Sequence, residues 1–298
     1  MGLGRRHRRR LGAALTYATL SVVTLVMCFP LLWAVLTSIR PTEDMLKTQL
    51  LPDRVTAAHY RALLTGRSMY FEAGGSAARP QTAPSQHFLA WFANSVIVSV
   101  ATTLVSVLVS TLAAYSLTRF RFPGQALVPY WSLLGYMTPS IIYVFPLFLL
   151  IVGLGLADRL PSLVLGYLSI TLPFCMWLMV AFLKSVPIEV EEAGLMDGAS
   201  RVQVFRLIVL PLAVPGIVAT SIFAFIVAWN DYLIARIFMN SVTQLPLTVG
   251  VMHFFEGVHV DWGLMMAAAV LMTLPLAVLF MFVQRQLVMG FGAGAVKG

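Results

Sequence analysis

Residues 160–183 read LPSLVLGYLSITLPFCMWLMVAFL without a charged side chain, residues 184–206 read KSVPIEVEEAGLMDGASRVQVFR with seven, and residues 207–230 read LIVLPLAVPGIVATSIFAFIVAWN with none. An apolar helix needs about 20 residues to cross a hydrocarbon core, so a charged loop between two such stretches predicts two membrane spans and the turn joining them. Four more uncharged intervals flank this unit, at residues 11–39, 88–118, 126–157 and 262–284. They are too continuously apolar for the alternating strands of a membrane barrel. The expected fold is an all-α membrane protein with six transmembrane helices, an external loop at 40–87, a polar loop at 184–206, a second external loop at 231–261 and a tail at 285–298. Composition agrees. Of 298 residues, 59% are hydrophobic and 11% charged, against about 25% charged in a soluble domain. A water-soluble core and a disordered chain are both excluded.

Charge sets the orientation. With residues 1–10 and the tail placed inside, the cytoplasmic side holds twelve of the twenty basic residues, among them Arg5, Arg6, Arg8, Arg9 and Arg10, against four acids. The outside holds eight of each, so the net charge of +8 is entirely cytoplasmic, as positive-inside topology requires. The basic start is thus a topology anchor, and nucleic acid is not expected as a partner. The apolar run after Arg10 exceeds a signal-peptide core, which predicts a retained first span. The two cysteines, Cys28 and Cys175, form no metal-ligand spacing and read as small apolar residues.

No span carries Asp, Glu, Lys, Arg or His. Ion-coupled carriers place such groups in the membrane, so a self-sufficient secondary transporter is disfavoured. None of Lys47, Lys184 and Lys297 follows a phosphate-cradling GxxxxG run, so the chain lacks that ATP-binding device. What remains is a channel, a structural subunit, or a pore driven by a partner.

The 184–206 loop favours the last. Pro187 and the acids Glu189, Glu191 and Glu192 suit a helix start. Leu195, Ala199, Val202 and Phe205 recur at three- and four-residue spacing and predict an apolar stripe outside the bilayer, to be covered by a partner or by the chain's own helix ends. Gly198 would end one short helix and let a second leave at an angle.

Glu192-Ala193-Gly194, followed at fixed spacing by Gly198 and then by Ile208, Val209, Leu210 and Pro211, resembles the EAA motif of permeases from binding-protein-dependent ABC importers. The departure is Gly194, where that family usually has alanine. Asn94-Ser95, the stretch Ala113-Ala114-Tyr115 through Arg119-Phe120-Arg121-Phe122-Pro123-Gly124, Trp229-Asn230-Asp231, Leu245 to Gly250 and the tail Gly294 to Gly298 are similar to the sugar-importing branch, in particular to the smaller membrane subunit of maltose-type transporters. The resemblance implies a permease subunit, not an enzyme, that translocates a sugar, oligosaccharide or polyol. It implies a second permease, an ATP-binding cassette ATPase dimer carrying the ATP and Mg, and an extracytoplasmic sugar-binding protein as partners, with membrane lipid around the spans and no cofactor or metal on this chain. It assigns Glu192, Ala193, Gly194, Asp197, Gly198, Ala199, Ile208, Leu210 and Pro211 to a coupling helix that docks on the ATPase, and gives Gly294 and Lys297 a second ATPase contact.

Other features are less telling. His253 and His259 lack a third ligand, and residues 65–87 read as a flexible linker or a contact for the binding protein. Hydroxyls and aromatics in the spans, among them Thr138, Ser140, Tyr143, Ser169, Thr171, Trp177, Thr220 and Ser221, suit a sugar path, yet such groups commonly serve helix packing. No substrate-binding residue is assigned. The competing reading is an ATP-independent channel or carrier.

Overall fold

The computed structural model describes residues 3–45, 49–66, 84–255 and 261–292, with side chains from residue 12 to residue 284 apart from Pro84. Every regular element among them is helical. The chain divides into two compact units, one of residues 1–86 and 254–273, the other of residues 87–253 and 274–298.

In the first unit, α1 (Leu3–Ser38) exposes its apolar side chains from Leu15 to Trp33. A single helix has no interior of its own, so this surface requires lipid or another protein. Beyond α1, the chain is held to α2 (Ala58–Thr65) by polar contacts. Ser38 Oγ and the Tyr60 hydroxyl lie 2.7 Å apart, and buried His59 donates from Nε2 to the Arg40 carbonyl at 2.9 Å.

The second unit is a helical bundle around α3 (Phe88–Arg119). Then come α4 (Val128–Met137), α5 (Ser140–Gly153) and α6 (Leu160–Lys184). The polar loop forms α7 (Ile188–Met196) and α8 (Arg201–Val204), continued by a π-helical turn at Phe205–Val209 and by α9 (Leu210–Leu212). The order continues with α10 (Val214–Asn230), α11 (Leu233–Phe238) and α12 (Leu247–Gly250), and the long α13 (Trp262–Gly292) belongs to the first unit up to residue 273 and to the second from residue 274. α3 packs chiefly on α6 and α10, and α4 packs on α6. Small buried residues allow this close approach. Ser99, Thr102, Ser106 and Ser110 of α3 are buried, and Ser106 meets Thr171 of α6 at 2.7 Å, the small-residue mode of membrane helix packing.

Among the described residues, four helices are long and apolar enough to cross a membrane, at Gly12–Ser38, Ser85–Arg119, Leu160–Lys184 and Trp262–Gln284, and two bent pairs raise the count to six if each is one span. The intervals 126–157 and 207–230 each hold a bent helix pair in place of one straight helix. α4 and α5 meet at 101°. Pro139 cannot donate a backbone hydrogen bond and disfavours the helical state of the residue before it, and Thr138 is accordingly extended, at ψ 123°. The segment Arg201–Leu212 meets α10 at 72°, where Pro211 and Pro215 remove two donors across one turn. A charge-free interval reports hydrophobicity, not straightness.

Candidate functional site

The EAA-like segment folds as two short helices with a reversal between them. α7 ends in a Schellman motif: Gly198 N–H donates to Leu195 O and Ala199 N–H to Gly194 O, both at 3.1 Å. Such a cap needs a left-handed residue after the last helical one. Gly198 has φ +87°. Ser200 then starts α8 with a capping box, its Oγ accepting from Gln203 N–H at 3.3 Å and its N–H donating to Gln203 Oε1 at 2.7 Å.

The inner side of this loop closes over a cluster of Ala114, Leu117, Met179, Val180, Leu183, Val204, Val209 and Ala213, against which Leu195, Ala199, Phe205 and Ile208 also pack. Gly194 is buried, and a Cβ built on it would lie 2.6 Å from Ile208 Cδ1. The smaller residue is what the Gly194–Ile208 contact accommodates. Tyr115 meets Phe205 at 4.8 Å between ring centroids, and the Arg201 guanidinium lies 5.7 Å from the Phe120 centroid, within cation–π range.

One ion pair fastens the loop to the bundle. Arg119 Nε donates to Glu191 Oε1 at 2.5 Å, and Arg119 Nη2 donates to the carbonyls of Leu183 and Val186 at 3.2 and 3.1 Å. Both side chains are only 7% exposed. Arg suits this place because a guanidinium presents several donors in a fixed plane, whereas an ammonium is a point charge on a flexible stem.

Among the charged residues on its outer side the loop also exposes large apolar ones: Met196 is 88% exposed, Leu207 72% and Val202 61%. Glu192, Ala193, Asp197, Gly198 and Pro211 share that exposure. Three large uncovered apolar side chains on a loop of this composition form a surface suited to a protein partner.

The other end of the bundle is held differently. Trp91 Nε1–H donates to Val242 O at 2.6 Å, Asn94 Nδ2–H donates to Thr243 O and Leu245 O at 2.9 and 3.0 Å, and Ser95 Oγ accepts from Leu247 N–H at 2.7 Å. Gly250 lies against the Trp91 ring, which a Cβ would approach to 2.2 Å. Asp158, between α5 and α6, accepts from the N–H groups of Asn240 and Ser241 at 2.8 and 2.9 Å and from the Ser241 hydroxyl. Partial burial pushes its pKa up, but the Ser241 and Asn240 donors outweigh that and hold the carboxyl below its ordinary pKa. Asp231 accepts from Ala235 N–H at 3.2 Å, yet its burial dominates and pushes its pKa up.

Comparison with known proteins agrees with this geometry. Residues 106–291 match the model of the binding-protein-dependent transport system inner membrane component family. The chain belongs to that family. Among its relatives, the inner membrane ABC transporter permease protein YcjP of Escherichia coli is 32% identical, covering all of both chains. The trehalose/maltose transport system permease protein MalG of Thermococcus litoralis is 32% identical over 93% of this chain and 94% of its own. The trehalose transport system permease protein SugB of Mycobacterium tuberculosis is 33% identical over 90% and 92%. In fold, the chain resembles a bacterial ABC transporter involved in the import of the acidic polysaccharide alginate, at a TM-score of 0.75 and 20% identity, covering 93% of this chain and 96% of that one.

Within this family member, the structure draws Gly194, Ala199, Ile208 and the half-buried Leu210 inward and leaves the other five assigned loop residues outside. The expected stripe is corrected: Leu195, Ala199 and Phe205 pack on the permease's own core, and only Val202 of the four is exposed. Helical spacing failed because the helix stops at Gly198 and restarts at Ser200, so the register does not carry across. Met196, Leu207 and the Arg119–Glu191 pair were missed. The last had only a faint signal, one arginine and one acid near predicted span ends. Gly294, Lys297, His259 and most of residues 65–87 lie outside the described residues. His253 stacks on Trp91 at 5.9 Å between centroids. Of the span hydroxyls, Ser169, Thr171, Thr220 and Ser221 bond carbonyls of their own helix.

Proposed function

We propose that this permease is a membrane subunit of an ATP-driven importer for a sugar, oligosaccharide or related polyol. The observation that carries the reading is the loop from Ile188 to Leu212, folded back on its own core with Met196, Val202 and Leu207 turned outward. A rigid block with an apolar outer face is what an ATPase partner needs in order to push on membrane helices. Glu192, Ala193, Asp197, Gly198 and Pro211 form the rim of that contact, and Gly194, Ala199, Ile208 and Leu210 hold its shape. ATP and Mg reside on the ATPase dimer, and this chain binds neither. The C-terminal Gly294 and Lys297 reach the same partner.

In this reading each bent helix pair is one span, giving six, with the N-terminus, the 184–206 loop and the 285–298 tail in the cytoplasm. A second permease completes the pore and lipid surrounds it. A binding protein delivers substrate at the external segments 40–87 and 231–261. The carbohydrate class follows from the named transport systems of the relatives, MalG and SugB among them. ATPase closure moves the loop as a unit and switches the pore between inward-open and outward-open states.

Mass spectrometry of what co-purifies with the chain from gently solubilised membranes tests this. Recovery of an ATPase, a second multi-span permease and a binding protein is expected, and the ligand on that binding protein names the substrate. Recovery of the chain alone, from membranes shown to preserve other complexes, overturns the importer reading in favour of a channel or carrier.

A further inference from the structure

We propose that Arg119 is a positioning residue of the importer, one that makes α7 and the ends of α3 and α6 a single lever. The inference rests on the function proposed above. α3 ends at Arg119 and α6 at Lys184, and the guanidinium reaches three places at once: Glu191 on α7, the Leu183 carbonyl on the last turn of α6, and the Val186 carbonyl on the link between α6 and α7. Among the described residues, this is the one ion pair that ties α7 to another helix.

The chemistry explains why one residue can do this. Carbonyls at a helix C-terminus have no partner within the helix and carry the negative end of its dipole. Arg119 adds a charged donor to the Leu183 carbonyl, which also accepts from Val186 N–H at 3.2 Å, and makes a second bond just beyond the helix. Its remaining edge faces Glu191, which is buried and must be paired. Each contact therefore holds the guanidinium in place for the others. Glu191 is distinct from Glu192, the exposed glutamate of the EAA-like motif, so the tie to the bundle and the contact with the ATPase use neighbouring acids, one buried and one exposed.

A push on the exposed side of α7 moves α3 and α6 only if α7 does not swivel on its links, Ser185–Pro187 and Asp197–Ser200. Leu195 supplies apolar contact with the core, but apolar contact is not directional. The planar, three-point guanidinium contact is.

The test uses the assembled importer in proteoliposomes and the variants R119Q, E191Q and R119K. Hydrogen exchange of residues 188–196 reads the tie directly, because local opening sets amide exchange. Exchange at least tenfold faster in R119Q and E191Q is expected, with the middle of α3 unchanged. ATP hydrolysis and accumulation of radiolabelled trehalose or maltose, whichever the unaltered importer takes up, read the lever. Hydrolysis within twofold of the unaltered protein and accumulation at least tenfold lower are expected for R119Q, with R119K in between. Unchanged exchange in R119Q and E191Q overturns the proposal, as does a proportional fall of hydrolysis and accumulation, which marks a merely structural role. If R119Q does not assemble, E191Q and R119K decide by the same criteria. Failure of the unaltered chain to associate with an ATPase sinks the importer reading instead, and the exchange result still stands on its own.

Discussion

The two ends of the α3–α6–α10 bundle are secured by opposite means. At the α7–α8 end an apolar cluster and one buried ion pair hold the loop, and the exposed residue is Met196 with its neighbours. At the Trp91 end, the link from Val242 to Leu247 is held through its backbone: indole, amide and hydroxyl side chains of α3 bond carbonyls and an N–H, with Asp158 clasping the residues just before. Backbone bonding fixes a path while Val242, Thr243 and Gln244 keep their side chains exposed. A buried ion pair fixes an orientation and tolerates little change. The first suits a surface that varies with its partner, the second a part that must transmit force.

Substitution at each end sharpens that contrast. The largest effect is expected from Gly198→Asp. A side chain at φ +87° disfavours the cap by about 1–2 kcal/mol, and it adds charge beside the exposed apolar face. ATP-dependent accumulation should fall at least tenfold while the protein remains in the membrane fraction; accumulation at the unaltered level removes the coupling role. Next is Gly250→Ala at the opposite end, where the new methyl meets the Trp91 ring. Overpacking of this kind costs about 1–3 kcal/mol, read as a lower thermal unfolding midpoint of the detergent-solubilised protein.

Asn94→Ala should follow, destabilising by about 1–2 kcal/mol because two carbonyls lose their donor. Its signature is faster hydrogen exchange at residues 242–247, with ATPase association intact. Met196→Ser should do the reverse, shifting the unfolding midpoint little because the side chain is exposed, but weakening recovery of the ATPase on co-purification. If Met196→Ser destabilises the chain alone, the outward surface is misassigned.

The smallest effect is a pH dependence. Asp158 has its folded pKa lowered by its donors, so its clasp is complete above the unfolded carboxylate pKa, about 3.9. It is lost as pH falls through the lower folded value. Amides of Asn240 and Ser241 should therefore keep their protection down to about pH 4 and lose it below. Asp158→Asn should remove the pH dependence of that protection.

What could be read from the sequence followed from local physics. The helical fold came from the length of the charge-free intervals, since backbone groups in lipid must pair within their own segment. The reversal at Gly198 came from one residue type that tolerates positive φ. The EAA-like spacing singled out one loop, and Glu192, Asp197 and Gly198 lie at its surface.

The stripe of Leu195, Ala199, Val202 and Phe205 misled because periodicity assumes an unbroken helix, and the capping atoms of Gly198 and Ser200 break it. The 101° and 72° bends lie at prolines that the sequence displays, but proline inside α5, α6 and α13 leaves those helices continuous.

By itself, the sequence determined that the chain is helical, apolar enough for a membrane, and punctuated by a polar loop with a glycine hinge. Only the tertiary structure decided that Arg119 meets Glu191 across 72 residues, that Asn94 and Ser95 bind the 243–247 backbone, and that Met196 faces out while Leu195 faces in. Hydrophobic length and φ preference are properties of neighbouring residues. Pairing and facing depend on how distant helices pack, which no local spacing encodes.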